Sequence, residues 1–254
     1  GLMAGVLYAL VALGFVLIYK ASGIFNYAQG VMALFAALTL VGIMDGQVPF
    51  SHLINAILGT EVHHFGWHVP AFLAILLTMV VMIVLAYCVQ RFVFRYLVGQ
   101  EPIILFMATI GLAYFLEGVG DLMWGSEIKT LDVGLPQGIN VWIDEFTFEA
   151  TGYGFFIDNL DIVASIVAAI LVIGLVMFAQ YTKQGRAMRA VADDHQAALS
   201  VGVSLNFIWI LVWSLAGFVA LVAGIMWGAK SGVQFSLSLI AFKALPVRRL
   251  AWSL

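Results

Sequence analysis

The sequence predicts an all-α integral membrane protein with six transmembrane helices plus a partial or re-entrant element. Three observations carry that prediction. Of the 254 residues, 63% are hydrophobic and only 10% charged, with a mean hydropathy of +1.07, whereas an ordinary soluble domain has roughly 25% charged residues. Six stretches approach the about 20 apolar residues that a helix needs to cross about 30 Å of hydrocarbon. Lys and Arg are concentrated in alternate loops, as the positive-inside rule requires. The formal net charge of -3 gives no indication of a nucleic-acid partner.

The first span, about 1–19, lies in "GLMAGVLYALVALGFVLIYK". It lacks a basic n-region followed by a small-residue cleavage site, so it reads as a span that stays. With Gly as residue 1, we expect further sequence upstream. The second span, about 28–45, follows "FNYAQG" (25–30), and the others run over about 70–90, 103–124, 161–182 and 205–228. A shorter apolar piece, about 235–247, comes last. Residues 46–69 hold no Lys or Arg, and 125–160 hold only Lys129 against Glu127, Asp132, Asp144, Glu145, Glu149 and Asp158. The intervening loops carry Arg91 and Arg95, then Lys183, Arg186 and Arg189. The basic loops are therefore cytoplasmic, the acidic ones external, and residue 1 lies outside.

Gly1 with Gly5, Gly224 with Gly228, and Gly228 with Gly232 form G-x-x-x-G pairs that permit close helix approach. Trp67, Trp124 and Trp142 fall near span ends, as interfacial anchors do. Cys88 is the sole cysteine, which excludes an internal disulfide, and its apolar setting reads as packing. The histidines His52, His63, His64 and His68 share one external segment without acids or Cys at ligand spacing, so a solvated loop is expected there and no metal.

Asn26, Tyr27 and Gln29, flanked by Gly23 and Gly30, place polar groups where apolar ones are expected. Polar sequence at membrane depth is tolerated where protein buries it or where it lines a wet cavity. Two readings are open: a broken helix beside a translocation path, or a cytoplasmic turn marked by Lys20. Lys243 in "LIAFKALPV" is a second charge in apolar surroundings, either at a path or snorkelling to an interface. Glu117 lies well along the fourth span, and a helix-end position near the external surface is expected.

The segment 183–204 reads as an amphipathic helix, with Met188, Val191, His195 and Leu199 recurring at three to four residues. Arg186, Arg189, Asp193 and Asp194 occupy its other side, and Gly202 stops it. Its apolar face is small and two acids would be repelled by anionic lipid, which favours a cytoplasmic protein partner over a lipid-surface helix.

Here "GRAMRAVADDHQAALSVGV" resembles the cytoplasmic loop of ABC-importer permease subunits, specifically the LivH-type permeases for branched-chain amino acids. The importer pattern E-A-A-x3-G is matched as Gln196-Ala197-Ala198-x3-Gly202, with Gln in place of Glu, and the downstream I-x-L-P is missing. "GLMAGVLYALVALGFVLIYKASGIFNYAQG", "QRFVFRYLVGQEPIILFMATIGLAYFLEG" and "AFKALPV" are similar to the family's opening, its paired-Arg loop and span, and a late segment. The resemblance implies that residues 1–247 form one permease transmembrane domain. In it, the helix carrying Arg186, Arg189, Asp193, Asp194, Ala197, Ala198 and Gly202 would couple to an ATPase. Asn26, Tyr27, Gln29, Gly30 and Lys243 become candidates for the translocation path.

The chain has no G-x-x-x-x-G-K-[ST] loop to hold ATP phosphates, so it is expected to be a transport subunit rather than an enzyme, with no cofactor of its own. The implied partners are a second homologous permease, two ABC ATPase subunits, an external or periplasmic solute-binding protein and membrane lipid. The implied location is the bacterial inner membrane, multi-pass. Residues 248–254, "RRLAWSL", match nothing in the family's continuation, and Arg248 and Arg249 fall where apolar sequence is expected, so the C-terminal part of the fold is expected to be missing. The expected solute is a branched-chain or related amino acid. Related permeases with similar motifs import urea, amides or other small polar solutes, and that alternative stays open. An ion-coupled secondary transporter would need an intramembrane acid, for which Glu117 is the one candidate. A membrane-embedded enzyme would need a catalytic constellation within the spans, and none is visible.

Overall fold

The computed structural model describes residues 2–23, 25–58, 68–97, 100–125, 127–142, 144–145, 149, 157–193, 198, 202–234 and 237–238. Its named elements are helices: α1 (Leu2–Ser22), α2 (Gln29–Met44), α3 (Ser51–Leu58), α4 (Ala71–Phe92), α5 (Pro102–Trp124), α6 (Asn159–Tyr181), α7 (Lys183–Asp193) and α8 (Leu205–Ser231), with a 3-10 turn at Phe94–Tyr96. Among the described residues, strand pairing is limited to two isolated antiparallel bridges, Lys129 with Val233 and Ile139 with Asp158.

Six spans were expected, and four helices are long and apolar enough to cross a membrane: α4 with its 3-10 extension, α5, α6 and α8. The other two expected spans are shorter apolar helices, Gly5–Lys20 within α1 and Gln29–Met44. Helix α1 as a whole runs 21 residues, Leu2–Ser22, so only α2, with 16 residues, is short for a span. The chain leaves α1 at Gly23, whose φ of 69° is left-handed backbone that favours glycine, and α2 begins only at Gln29.

Helix direction follows from which ends meet. Phe50 N–H donates to Met123 O at 3.0 Å, and Val69 N–H to Met44 O at 3.1 Å. Lys129 and Val233 exchange backbone bonds of 3.0 and 2.8 Å, the Lys129 amine donates to Gln47 Oε1, and Lys230 pairs with Asp161. These contacts gather the ends of α2, α5 and α8 and the starts of α4 and α6 at one side. Trp227 Nε1 donates to Leu7 O at 3.3 Å, which puts the start of α1 there too. Arg91, Arg95, Lys183, Arg186 and Arg189 all belong to the opposite ends, as the loop charges predicted.

The core forms around α2 and α8. All residues from Gln29 to Gly42 are buried. In α8, 67% of the most apolar stretch is buried, against 28%, 33% and 17% in α4, α5 and α6, so α8 is the hub and the latter three present most of their surface outward. It packs on α1, α2 and α4. A Cβ added at Gly224 would lie 2.5 Å from Ala33 O, so α2 and α8 meet backbone to backbone, as small residues allow.

Trp124 departs from expectation. It is 5% exposed and packs into the gap at Gly42, where an added Cβ would lie 2.2 Å from its ring. The glycine creates a slot that draws the indole inward, away from an interfacial position. Trp142 is exposed. Gly5 has no neighbour within 4 Å of its Cβ position, so the Gly1/Gly5 pair makes no close contact at Gly5. Trp67, His63, His64, His195 and Leu199 lie outside the described residues. So does most of the expected element at 235–247 and all of the tail 248–254.

Candidate functional site

The break between α1 and α2 is a closed polar network. Asn26 Oδ1 accepts from Ala28 N–H at 3.1 Å, and Asn26 Nδ2 donates to Gln29 Oε1 at 3.2 Å. Gln29 Nε2 donates to the backbone oxygen of Ala216 in α8 at 3.2 Å. Both side chains are fully buried, where an unpartnered amide would be costly, and each finds a partner. The space for Gln29 comes from α1: a Cβ at Gly14 would lie 1.9 Å from Gln29 Nε2. One amide thus links three helices.

The other side of the break is held by α5. Thr109 Oγ1 accepts from Tyr27 N–H at 3.1 Å and lies 3.2 Å from Phe25 O and 2.8 Å from Phe106 O, to one of which it donates. Phe25 stacks on Phe15 at 5.5 Å between centroids and meets Phe106 at 5.7 Å, and Tyr27 meets Phe106 edge-on at 6.2 Å. Gly30 is buried at the start of α2. The structure thus brings Asn26, Tyr27, Gln29 and Gly30 together, and its polar break reaches α1, α5 and α8. Lys243 lies outside the described residues.

At the end of the bundle opposite the acidic loops, α7 (Lys183–Asp193) covers the first half of the segment 183–204 expected to form an amphipathic helix. It begins at a tight joint: Thr182 Oγ1 donates to Phe178 O at 2.7 Å, closing α6, and accepts from Gly185 N–H at 2.9 Å, capping α7. A Cβ at Gly185 would lie 2.3 Å from Phe178 O and 2.6 Å from Ala179 Cα, so α7 folds back onto the end of α6 with room only for glycine. Met188 and Val191 are buried and tie α7 to the body through α1 and α8. Lys183, Arg186 and Arg189 are exposed.

This charge arrangement does not stabilise the helix. The first turn of α7 has no acidic residue, yet it holds Lys183 and Arg186, where the helix dipole favours anions. Asp193 ends the helix. Asp194 and Ala197 lie outside the described residues. Ala198 is 2% exposed and its oxygen accepts from Val203 N–H at 3.1 Å, so its side chain packs inward, and Gly202 turns the chain at φ 84°.

Sequence reasoning missed several participants. Gly14, Thr109 and Ala216 hold the break from far along the chain, Ala216 lying 187 residues from Gln29, and no local signal marks them. Glu117 lies on α5, half-buried, one turn before Asp121. Among the described residues, no group of three or more His, Cys, Asp or Glu is arranged to hold a metal ion.

Residues 1–245 match the family described as branched-chain amino acid transport system / permease component. The high-affinity branched-chain amino acid transport system permease protein BraD of Pseudomonas aeruginosa is 28% identical over 241 residues, covering 92% of this chain and 70% of that protein. The corresponding LivH protein of Escherichia coli K12 is 26% identical over 244 residues, with the same coverage of both. A probable branched-chain amino acid transport permease protein LivH of Methanocaldococcus jannaschii is 27% identical over 226 residues, covering 86% of this chain and 61% of that one. No solved structure matches the chain.

Proposed function

The chain belongs to the branched-chain amino acid transport system permease family, and we propose that it is the transmembrane subunit of an ATP-driven importer for branched-chain or related amino acids. In this reading it forms the translocation path in the bacterial inner membrane with a second homologous permease. Two separate ATPase subunits supply the energy, and an external solute-binding protein delivers the solute. The observation that carries the coupling role is the exposed basic surface of α7. Lys183 and Arg186 stand in the first turn, where they oppose the helix dipole, with Arg189 exposed beyond them, which fits an acidic partner surface rather than helix stability.

The joint at Thr182 and Gly185 gives that surface a mechanical route inward. A push on α7 moves the end of α6 directly, because no slack exists at Gly185. Through Met188 and Val191 it also reaches α1 and α8. Helix α8 carries Ala216, which holds Gln29 and the polar break. ATPase closure would thus be felt at Asn26, Tyr27, Gln29 and Gly30, the residues we assign to the path. On the other face, the exposed Glu127, Asp132, Glu145 and Glu149 suit a binding protein with a basic rim.

The test is capture of the ATPase subunits of the same system by the tagged permease in detergent. Arg186→Glu with Arg189→Glu should abolish capture while membrane insertion stays intact. Undiminished capture by the double variant would remove the docking role of α7.

A further inference from the structure

The side of α4 that faces the core is a stripe of every fourth residue, Ala74, Thr78, Met82, Ala86 and Gln90, all buried. Two contacts join this stripe and its continuation to α8. A Cβ on Gly217 would lie 3.5 Å from Met82 Cβ, and Phe94, four residues beyond Gln90, stacks on Trp213 at 4.7 Å between centroids. Gln90 falls between those two contacts. It is 2% exposed, yet neither its Oε1 nor its Nε2 has a hydrogen-bond partner. Trp209 and Trp213, one turn apart on α8, are 4% and 1% exposed, and neither indole N–H has a partner. Gln29 donates to Ala216 O on the same stretch of α8.

Buried polar groups are nearly always satisfied, because a stranded one loses its hydration and gains nothing. Gln90 and Trp213 belong to the α4–α8 contact and Trp209 lies one turn further along α8, so three unpaired buried residues fall near one another on these two helices, beside the polar break. We propose that α4 and α8 part at their inner ends during transport, and that Gln90, Trp209 and Trp213 then line the inner half of the solute path and bind an aliphatic amino acid. This rests on the importer reading above.

The chemistry of the groups selects that ligand class. Indole N–H groups only donate, so both suit a carboxylate. The Gln90 amide donates through Nε2 and accepts through Oε1, so it serves the α-carboxylate and the α-ammonium together. Met82 and Ala86 on the same stripe offer an apolar wall for an aliphatic side chain. The opposite side of α4 is different. Cys88, two residues before Gln90 and so about 200° around the helix, lines an apolar groove of about 530 Å³ between α4 and α5, with Leu85, Phe92, Gly111 and Phe115.

Cys88, retained in vesicles carrying the parent chain, therefore supplies the control. The complete importer, with its ATPases and binding protein, is reconstituted in vesicles carrying Cys88→Ser with Gln90→Cys. A charged methanethiosulfonate should modify position 90 about tenfold faster in one nucleotide state than in the other, and leucine should slow the reaction. The original Cys88 should stay unmodified in both states. Vesicles that import leucine but leave Gln90→Cys unreactive in both states would overturn the inference while the importer reading stands. Modification indifferent to leucine would overturn the binding role. Vesicles with no uptake and no ATPase capture would instead overturn the importer reading. If Gln90→Cys fails to assemble, Trp213→Phe decides, because it keeps the ring stack and removes the N–H. A KM for leucine raised about threefold or more supports the site, and an unchanged KM refutes it.

Discussion

Replacing Gly14 by alanine adds one methyl group to the middle of α1, and its effect follows from Gln29. The added Cβ would lie 1.9 Å from Gln29 Nε2, 2.3 Å from Cδ and 2.9 Å from Oε1. The amide must leave, and with Gln29 fully buried no water waits to receive it. Two hydrogen bonds go, to Asn26 and to Ala216 O, at about 1 kcal/mol each, and the stranded amide adds about 1–3 kcal/mol. Helix propensity returns about 0.5–1 kcal/mol, because alanine is the better helix former. The net loss is about 2–4 kcal/mol, which lowers the midpoint of thermal unfolding by about 5–15 °C for a chain of this size. Unfolding of the detergent-solubilised protein, followed by tryptophan fluorescence, measures it. Gly111→Ala is the control, since nothing lies within 4 Å of its Cβ position, and its midpoint should hold or rise. Gly14→Ala combined with Gln29→Ala should recover about 2 kcal/mol over the sum of the single changes, because the new methyl then occupies space the amide has left. A Gly14→Ala midpoint within about 2 °C of the parent, or strict additivity in the double variant, would refute the reasoning.

Gly185→Ala should cut ATPase capture by about tenfold or more with insertion unchanged, since relieving a 2.3 Å approach to Phe178 O requires a backbone shift that turns α7 away; undiminished capture would show that the joint yields. Gly224→Ala, with its Cβ 2.5 Å from Ala33 O, should cost about 1–3 kcal/mol, whereas Gly5→Ala, in open space, should cost nothing measurable by the same unfolding assay. Burial lowers the pKa of Lys129, against the opposing pull of Asp45 and Glu127. The folded chain then releases this proton at lower pH than the unfolded chain. The cost of burying the ammonium is fully present below the lowered value and disappears as pH climbs from there to the ordinary lysine range. The parent should therefore gain stability relative to Lys129→Met as pH rises toward the ordinary lysine pKa of about 10, and a difference independent of pH would sink this.

The sequence made the topology legible because bilayer physics writes it in composition. Apolar length marks the helices, and the loop charges mark the sides. It also flagged Asn26 and Gln29, since polar groups at that depth need a reason. It did not show what satisfies them, because the partners are a missing Cβ at Gly14 and a backbone oxygen at Ala216, and neither leaves a chemical mark in the chain. Gln90 escaped for a different reason. In "YCVQRF" it adjoins Arg91 and so reads as the polar edge of a span, while in space it turns inward onto α8. Glycine spacing was equally ambiguous, since Gly5 meets nothing and Gly224 meets a carbonyl, although both belong to the same type of pair. The α7 segment was legible as a helix from its periodicity, but the inward packing of Ala198 depends on where the chain goes after residue 193.

These features meet on one helix. Helix α8 accepts Gln29 at Ala216, faces α4 at Gly217 and Trp213, meets α2 at Gly224, and receives α7 near its inner end. A helix fixed by large interlocking side chains along its whole length would resist displacement, because packed cores tolerate little strain. At two of these contacts α8 instead presents glycine, and near its inner end the Trp209 and Trp213 indole nitrogens are unpaired, as is the Gln90 amide on α4. Separating α4 from α8 there breaks no hydrogen bond of Gln90, Trp209 or Trp213 and lets all three be solvated. The loss is confined to apolar contacts such as the Phe94–Trp213 stack. On the importer reading, opening at the inner seam costs these three side chains no hydrogen bond, and α8 also packs against α7, the helix on which an ATPase would push.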